Sequence, residues 1–423
     1  KSKNAGGVSY VLEEGVGFNT YLTKLKPFTN IQVKNNDELF IYNNFPERVM
    51  SNVFFETYIN KTKRVEGNTR LFVSHGNDTK QNIDYIIRLE NKSGSDVAAG
   101  YIEDTLVTLK SPSNGIKSHS VDFFNKVQKN NYKQIEIPAY GSYDFIIYNI
   151  SDAHFFSAQY DFKISGAVDI TSFIVPSGND SRGLETPNKP YTFDYEPVSY
   201  TVGKDGMNEK GKYYTTYSGY SRGYILDAEN SFKISEADFR NRKNAIGFET
   251  GGAEKNLNHR NGVTELLDIF LFSVVGADKE IDTATFVNNI PYSGDEGKNN
   301  INRPRNYCNL GNWGIEYNIT TAIENDTGAD KTLSLNLAAY QAAVMLVEVD
   351  GKTFGVNHNN SNLSYAFKRE GCQGYDIMDN HQEAATWEIL NIFIPAGETR
   401  EVTYKYILGT DSMSNVFHIW QEK

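Results

Sequence analysis

Along this chain, apolar residues fall at every second position in two runs. Ile83, Tyr85, Ile87 and Leu89 alternate with Asn82, Asp84, Arg88 and Glu90, with Ile86 breaking the pattern. Ile315, Tyr317, Ile319 and Ile323 alternate with Glu316, Asn318, Thr320 and Glu324. A period of two is that of a strand with one buried face. Each run leads into nearly the same heptapeptide, ENKSGSD at 90–96 and ENDTGAD at 324–330, 234 positions apart. That shift superposes Tyr85 on Ile319 and Leu89 on Ile323 in phase, and a slip of one residue would turn every side chain to the other face. The heptapeptide predicts a tight turn. Asn, Ser and Thr bond nearby backbone, and Gly94 and Gly328 can take a positive φ.

A second pair of signatures keeps the same order. IEIPAYG occupies 135–141 and IFIPAG occupies 392–397, each followed by a further alternating run. Pro138 and Pro395 cannot donate to a ladder, so each marks a strand end or an edge. Their separation of 257 positions gives the second copy 23 extra residues, placed within 331–391. A weaker echo pairs VSYVLEEG at 8 with VSYTVGKDG at 198. The expected fold is all-β, with two tandem antiparallel β-sandwich domains related by internal duplication, the second carrying an insertion. The divisions expected are an N-terminal segment at 1–24, a first sandwich at 25–175, a Pro/Gly/Ser/Asn-rich linker at 176–190 and a second sandwich at 191–423. Residues 332–346 fit either a short helix or two buried strands.

Composition changes this picture little. Hydrophobic residues make up 39% and charged residues 22%, and 27 Tyr with 25 Phe favour strands. A length of 423 residues suits two domains better than one core. The net charge of -11 argues against a nucleic-acid partner, which needs clustered Lys and Arg. No apolar stretch approaches the ~20 residues that span a bilayer. Lys1 in place of Met reads as a processed, exported chain.

Candidate chemistry is sparse. Cys308 and Cys372 could pair in an oxidising compartment, the alternative being two unrelated buried thiols. GYSRG at 219–223 matches G-x-S-x-G, but Tyr-rich flanks replace the helix that a nucleophilic Ser221 would need, so no catalytic residue is assigned. The histidines show no i, i+4 pair, and no metal ligand set is assigned. Acidic turns such as NDTGAD leave calcium as a candidate, without a twelve-residue loop of alternating ligands. N-x-S/T triplets, including Asn77-Asp-Thr79 and Asn318-Ile-Thr320, read as exposed turns. Tyr213, Tyr217 and Tyr220 could stack on sugar rings, or could simply suit a pleated surface.

ELFIYNN at 38–44, Pro46-Glu47, Thr69-Arg70-Leu71-Phe72, His75, Asn77, Thr79, the Leu89–Ser93 turn and the Ile-Pro-Ala signature together resemble secreted bacterial surface proteins that often accompany a copper-amine-oxidase-like N-terminal domain. The resemblance covers roughly residues 39–165. It implies export and a cell-surface setting, with no catalytic residue to carry over. The expected function is a non-enzymatic structural protein that self-associates into a filament or layer by lending an N-terminal strand, with Val8, Tyr10 and Leu12 at alternate positions for the purpose. The alternative is a polysaccharide-binding adhesin using the Tyr-rich face, and an exported hydrolase is third.

Overall fold

A computed structural model of the chain describes residues 2–5, 8–14, 16–19, 32–35, 38–43, 48–50, 54–109, 114–190, 218–222, 224–237, 245–250, 314–339, 343–358, 383–409 and 416–423. Among them are 24 strands and one α-helix, so the protein is all-β in class. The N-terminal region gives β1 (Ser2–Ala5), β2 (Val8–Glu14), β3 (Val16–Asn19) and β4 (Gln32–Asn35). Next come β5 (Leu39–Asn43), β6 (Arg48–Val49), β7 (Thr57–Tyr58), β8 (Asn60–Asn77), β9 (Ile83–Asn91), β10 (Val97–Leu109), α1 (Asn114–Gln128), β11 (Lys133–Ile137), β12 (Ser142–Ile150), β13 (His154–Pro176) and β14 (Lys189–Pro190). The remainder gives β15 (Ser218–Arg222), β16 (Ile225–Lys233), β17 (Ala245–Thr250), β18 (Glu316–Glu324), β19 (Lys331–Ala339), β20 (Ala343–Val349), β21 (Lys352–His358), β22 (Glu383–Ile394), β23 (Thr399–Leu408) and β24 (Val416–Glu422).

The first large sheet is organised by two long, bent strands. β13 pairs with β8 along most of its length, and the register shifts between Ile164 and Val168. Gly67, at φ +79°, sits opposite Ile164 where β8 bends. Before the shift β13 pairs with β10, and after it with β9, which in turn holds β12. Bending at a bulge lets one strand serve two packed leaves. Between them lies one core, built from Leu71, Tyr85, Leu89, Phe145, Phe156 and Tyr160 among others. The stretch expected to be a linker is fastened to this sheet. Arg88 donates to the carbonyls of Ser181 and Leu184, and Lys189 pairs with Thr57.

The repeated signatures turn out to be two parts of one device. Asn91 Oδ1 accepts from the backbone N–H (2.9 Å) and hydroxyl (2.7 Å) of Ser93, while its Nδ2 donates to the carbonyls of Ser95 (2.7 Å) and Ile137 (3.1 Å). Asn325 repeats this with Thr327, Ala329 and Ile394 at 2.6–3.1 Å. The acid that ends each heptapeptide accepts the backbone N–H of the Ala after the proline: Ala139 to Asp96 and Ala396 to Asp330. Pairing registers also correspond, Val97↔Ile137 with Lys331↔Ile394 and Glu90↔Ser142 with Glu324↔Thr399. Leu89 and Ile323 are both fully buried.

Several expectations need correction. Gly94 and Gly328 do not take a positive φ, because the Asn side chain closes each turn without a left-handed residue. The Asn77-Asp-Thr79 triplet is not an exposed turn. Asn77 is fully buried and repeats the same bonds a third time, to Thr79, Gln81 and Ile150. Asn318 lies on β18 and donates to Asp227. Not all pairing is antiparallel, since β16 runs parallel to β18 and β5 parallel to β8. Within 332–346, residues 332–339 and 343–346 are strand, whereas α1 was not anticipated. In the second region the β20–β21 hairpin stands where α1 stands in the first.

The side-chain amide of Asn325 donates to two carbonyls and that of Asn91 to three, so truncation removes these donors together. Asn91→Ala and Asn325→Ala are each expected to lower stability by about 2–3 kcal/mol. The measurement is the urea midpoint at constant m-value, and an unchanged midpoint would show that the turn closes without the amide.

Candidate functional site

The N-terminal strands are placed at sheet margins by pairing with the far end of the chain. β1 and β2 form a hairpin, Lys3 opposite Tyr10 and Ala5 opposite Val8. β2 then joins β21 in parallel, Leu12 opposite Gly355. β3 pairs with β22 (Phe18↔Ala384) and β4 with β16 (Val33↔Ala228). In the eight-stranded sheet the order is β1-β2-β21-β20-β23-β18-β16-β4, so residues 2–35 supply both margins. In the five-stranded sheet, ordered β17-β24-β19-β22-β3, they supply a third. Apart from the β1–β2 hairpin, every pairing of these strands is with residues 225–394, while residues 39–222 build the nine-stranded sheet. Val8, Tyr10 and Leu12 therefore lie on a strand whose ladder is completed within the same chain.

Other sequence candidates are scattered. Tyr220 and Ser221 lie on β15, opposite Ile41 and Phe40. Ser221 occupies the interior of a ladder strand, and β16 follows it. Tyr213, Tyr217, Cys308 and Cys372 lie outside the described residues. Among the described residues, no group of three or more His, Cys, Asp and Glu could hold a metal. The acidic turns use Asp96 and Asp330 to accept backbone N–H groups. No helix among the described residues is long and apolar enough to cross a membrane.

The strongest electrostatic feature was absent from the candidates drawn from residue patterns. Arg70, on β8, is 1% exposed. Its Nε and Nη2 form a fork onto Asp161 (2.6 and 2.8 Å), Nη2 also reaches Glu316 (2.8 Å), and Nη1 donates to the Gly314 carbonyl (2.9 Å). The rings of Tyr224, Phe124 and Phe123 lie 4.2, 5.0 and 5.6 Å from its guanidinium carbon. Burial opposes the charge, yet Asp161 and Glu316 outweigh it and hold the guanidinium above its ordinary pKa. Beside it, Phe123 and Phe124 of α1 and Ile102 pack against Leu346 and Ile407. Gln128 at the end of α1 donates to Glu348 (2.9 Å). The contact between the two motif-bearing regions is thus an apolar helix face surrounding one desolvated ionic cluster. The sequence signal for it was the Thr69-Arg70-Leu71-Phe72 string, where a charge stands directly before an apolar run.

Comparison with known proteins adds no family. No family model matches the chain, and no curated protein matches it. Among solved structures it is similar to an anti-sigma factor domain-containing protein at 8% identity, over 80% of each chain, with a TM-score of 0.14. It is similar to the N-terminal CBM22-1-CBM22-2 tandem domain of Xyn10C from Paenibacillus barcinonensis at 7% identity, over 98% of this chain and 92% of that one, with a TM-score of 0.12. Likenesses of this size assign neither fold family nor function.

Proposed function

We propose that this is a non-enzymatic, secreted structural protein of the cell surface that assembles into a filament or layer by lending its N-terminal arm to the next copy. What supports it is the placement of β1 to β4. They cap margins of sheets otherwise formed by strands from residues 225–422, while residues 39–222 build a separate sheet. An arm that completes a distant part of its own chain can complete the same part of another copy with the same hydrogen bonds, which is the basis of strand exchange. Withdrawing the arm exposes unpaired ladder edges, and these favour recapture of a strand. We further infer that the two motif-bearing regions are copies of one design, in keeping with the equivalent hydrogen bonds of Asn91 and Asn325.

Leu12 and Gly355 are opposite each other in the β2–β21 pairing, so cysteines placed there report which copy supplies the strand. In a chain with Cys308→Ser and Cys372→Ser, Leu12→Cys with Gly355→Cys is expected to give a covalent ladder of multimers when concentrated protein is oxidised. The readout is non-reducing electrophoresis beside light scattering of the unoxidised sample. Only intrachain crosslinks, in a protein that stays monomeric at high concentration, would end the assembly proposal.

A further inference from the structure

Tyr140 adopts φ +56°. Its counterpart after the second Ile-Pro-Ala is Gly397, at φ +78°. The equivalence rests on bonds on both sides: Ala139 and Ala396 donate to Asp96 and Asp330, and the backbone N–H groups of Asn91 and Asn325 donate to the carbonyls of Gly141 and Glu398. A left-handed backbone is free for glycine and costly for an aromatic residue. Burial does not explain the exchange, because the Tyr140 side chain is 78% exposed. Its ring lies over the ENKSGSD turn, where a Cβ on Gly94 would come within 3.2 Å of the phenol oxygen. A strained, exposed ring held in a fixed place suggests a binding role.

Beside the ring is a cavity of about 430 Å³, lined by Glu90, Lys92, Tyr140, Ser142, Glu185 and Thr186 over Arg88. Its cationic side chains are already paired. Arg88 gives Nε and Nη2 to Asp144 (2.8 and 2.9 Å), Nη2 also to Ser181 O and Nη1 to Leu184 O, and Lys92 is bound to Asp169 (2.8 Å). What faces a ligand is acceptors and hydroxyls. The Oε2 atom of Glu90 is buried without a hydrogen-bond partner. The Thr186 hydroxyl accepts from Arg88 (3.2 Å) and keeps its own proton to donate. The Glu90 and Glu185 carboxylates beside cations that are already paired disfavour anionic ligands. An exposed aromatic face beside carboxylate acceptors and hydroxyls suits a pyranose, whose C–H face lies on the ring while its hydroxyls donate to the carboxylates.

We propose that this cavity binds a neutral hexopyranose chain, with Tyr140 as the stacking platform and Glu90 as an acceptor of sugar hydroxyls. No residue of the N-terminal arm lines it. The test is native affinity electrophoresis of the full chain in gels containing barley β-glucan, galactomannan, laminarin or dextran. At least one gel is expected to retard the wild type. Tyr140→Gly should weaken that retardation at least tenfold without lowering the thermal midpoint, since glycine is the residue the second motif uses there. Tyr140→Trp should retain binding, and Glu90→Gln should weaken it. The proposal is overturned if no polysaccharide retards the protein, if Tyr140→Gly binds as tightly as the wild type, or if only Tyr217→Ala reduces binding.

Discussion

Arg70→Met is expected to destabilise the protein by about 3–5 kcal/mol and to split a single thermal transition into two. The magnitude follows from what the substitution leaves behind. Asp161 and Glu316 are 2% and 6% exposed and would face each other with no guanidinium between them, and breaking a buried ion pair from one side costs this much. Burial already raises the Asp161 carboxyl, Arg70 pulling it back and Glu316 adding to the rise, so removing Arg70 deprives the carboxylate of its main counter-charge. Lys405 approaches Glu316 only to 3.7 Å and cannot substitute. Arg70→Lys should recover little, because an ammonium cannot form the fork on Asp161 while reaching Gly314 and Glu316. The triple change Arg70→Met, Asp161→Leu, Glu316→Met should recover more, since it removes the stranded charges along with their partner. Calorimetry distinguishes these cases. A single transition, with an unchanged midpoint in Arg70→Met, would show that the cluster does not couple the two regions.

Acidification between pH 6.5 and 4.5 is expected to lower stability by about 2.5 kcal/mol through His418 alone. His418 is fully buried on β24, its Nδ1 2.6 Å from the Tyr404 hydroxyl and the Tyr406 ring 5.1 Å away. Burial pushes its imidazole down from 6.5 to about 3, so it stays neutral in the folded chain over this range. In the unfolded chain it takes up a proton near pH 6.5. The unfolded state therefore binds more protons throughout the window, and stability falls as pH falls, by about 1.4 kcal/mol per unit. From about pH 7.5 upward the group is neutral in both states and contributes little slope. Urea unfolding at pH 7.5, 6.5, 5.5 and 4.5 should show this slope in the wild type and a flatter one in His418→Gln. Parallel curves for the two would mean that His418 is protonated in the folded chain.

The sequence revealed local chemistry and missed what distance creates. β18 alternates buried and half-buried positions as its pattern implies. β9, read the same way, is buried on both faces, because residues 177–190 cover the side that carries Asp84 and Arg88. The Asn turns were visible because all their partners belong to two short repeated strings. α1 was hidden by its composition, in which Ile116, Phe123, Phe124 and Val127 are spaced by Ser, His, Asn and Lys. The Arg70 cluster unites residues up to 246 positions apart, and no period within either region encodes such a contact. Tyr140 was visible as the letter by which IPAYG differs from IPAG, but its meaning needed the backbone conformation.

The pairing of β2 with β21 also sets an order of events in time. Leu12 leaves the ribosome roughly 340 residues before the Gly355 it faces, and at ~5–20 residues per second that is a wait of tens of seconds. Throughout it β2 has only β1 as a ladder partner within the chain. The β2–β21 ladder therefore closes only when most of the chain has been made. In the assembly we propose, that interval leaves the strand open to a neighbour or to its own chain, and local concentration decides between them.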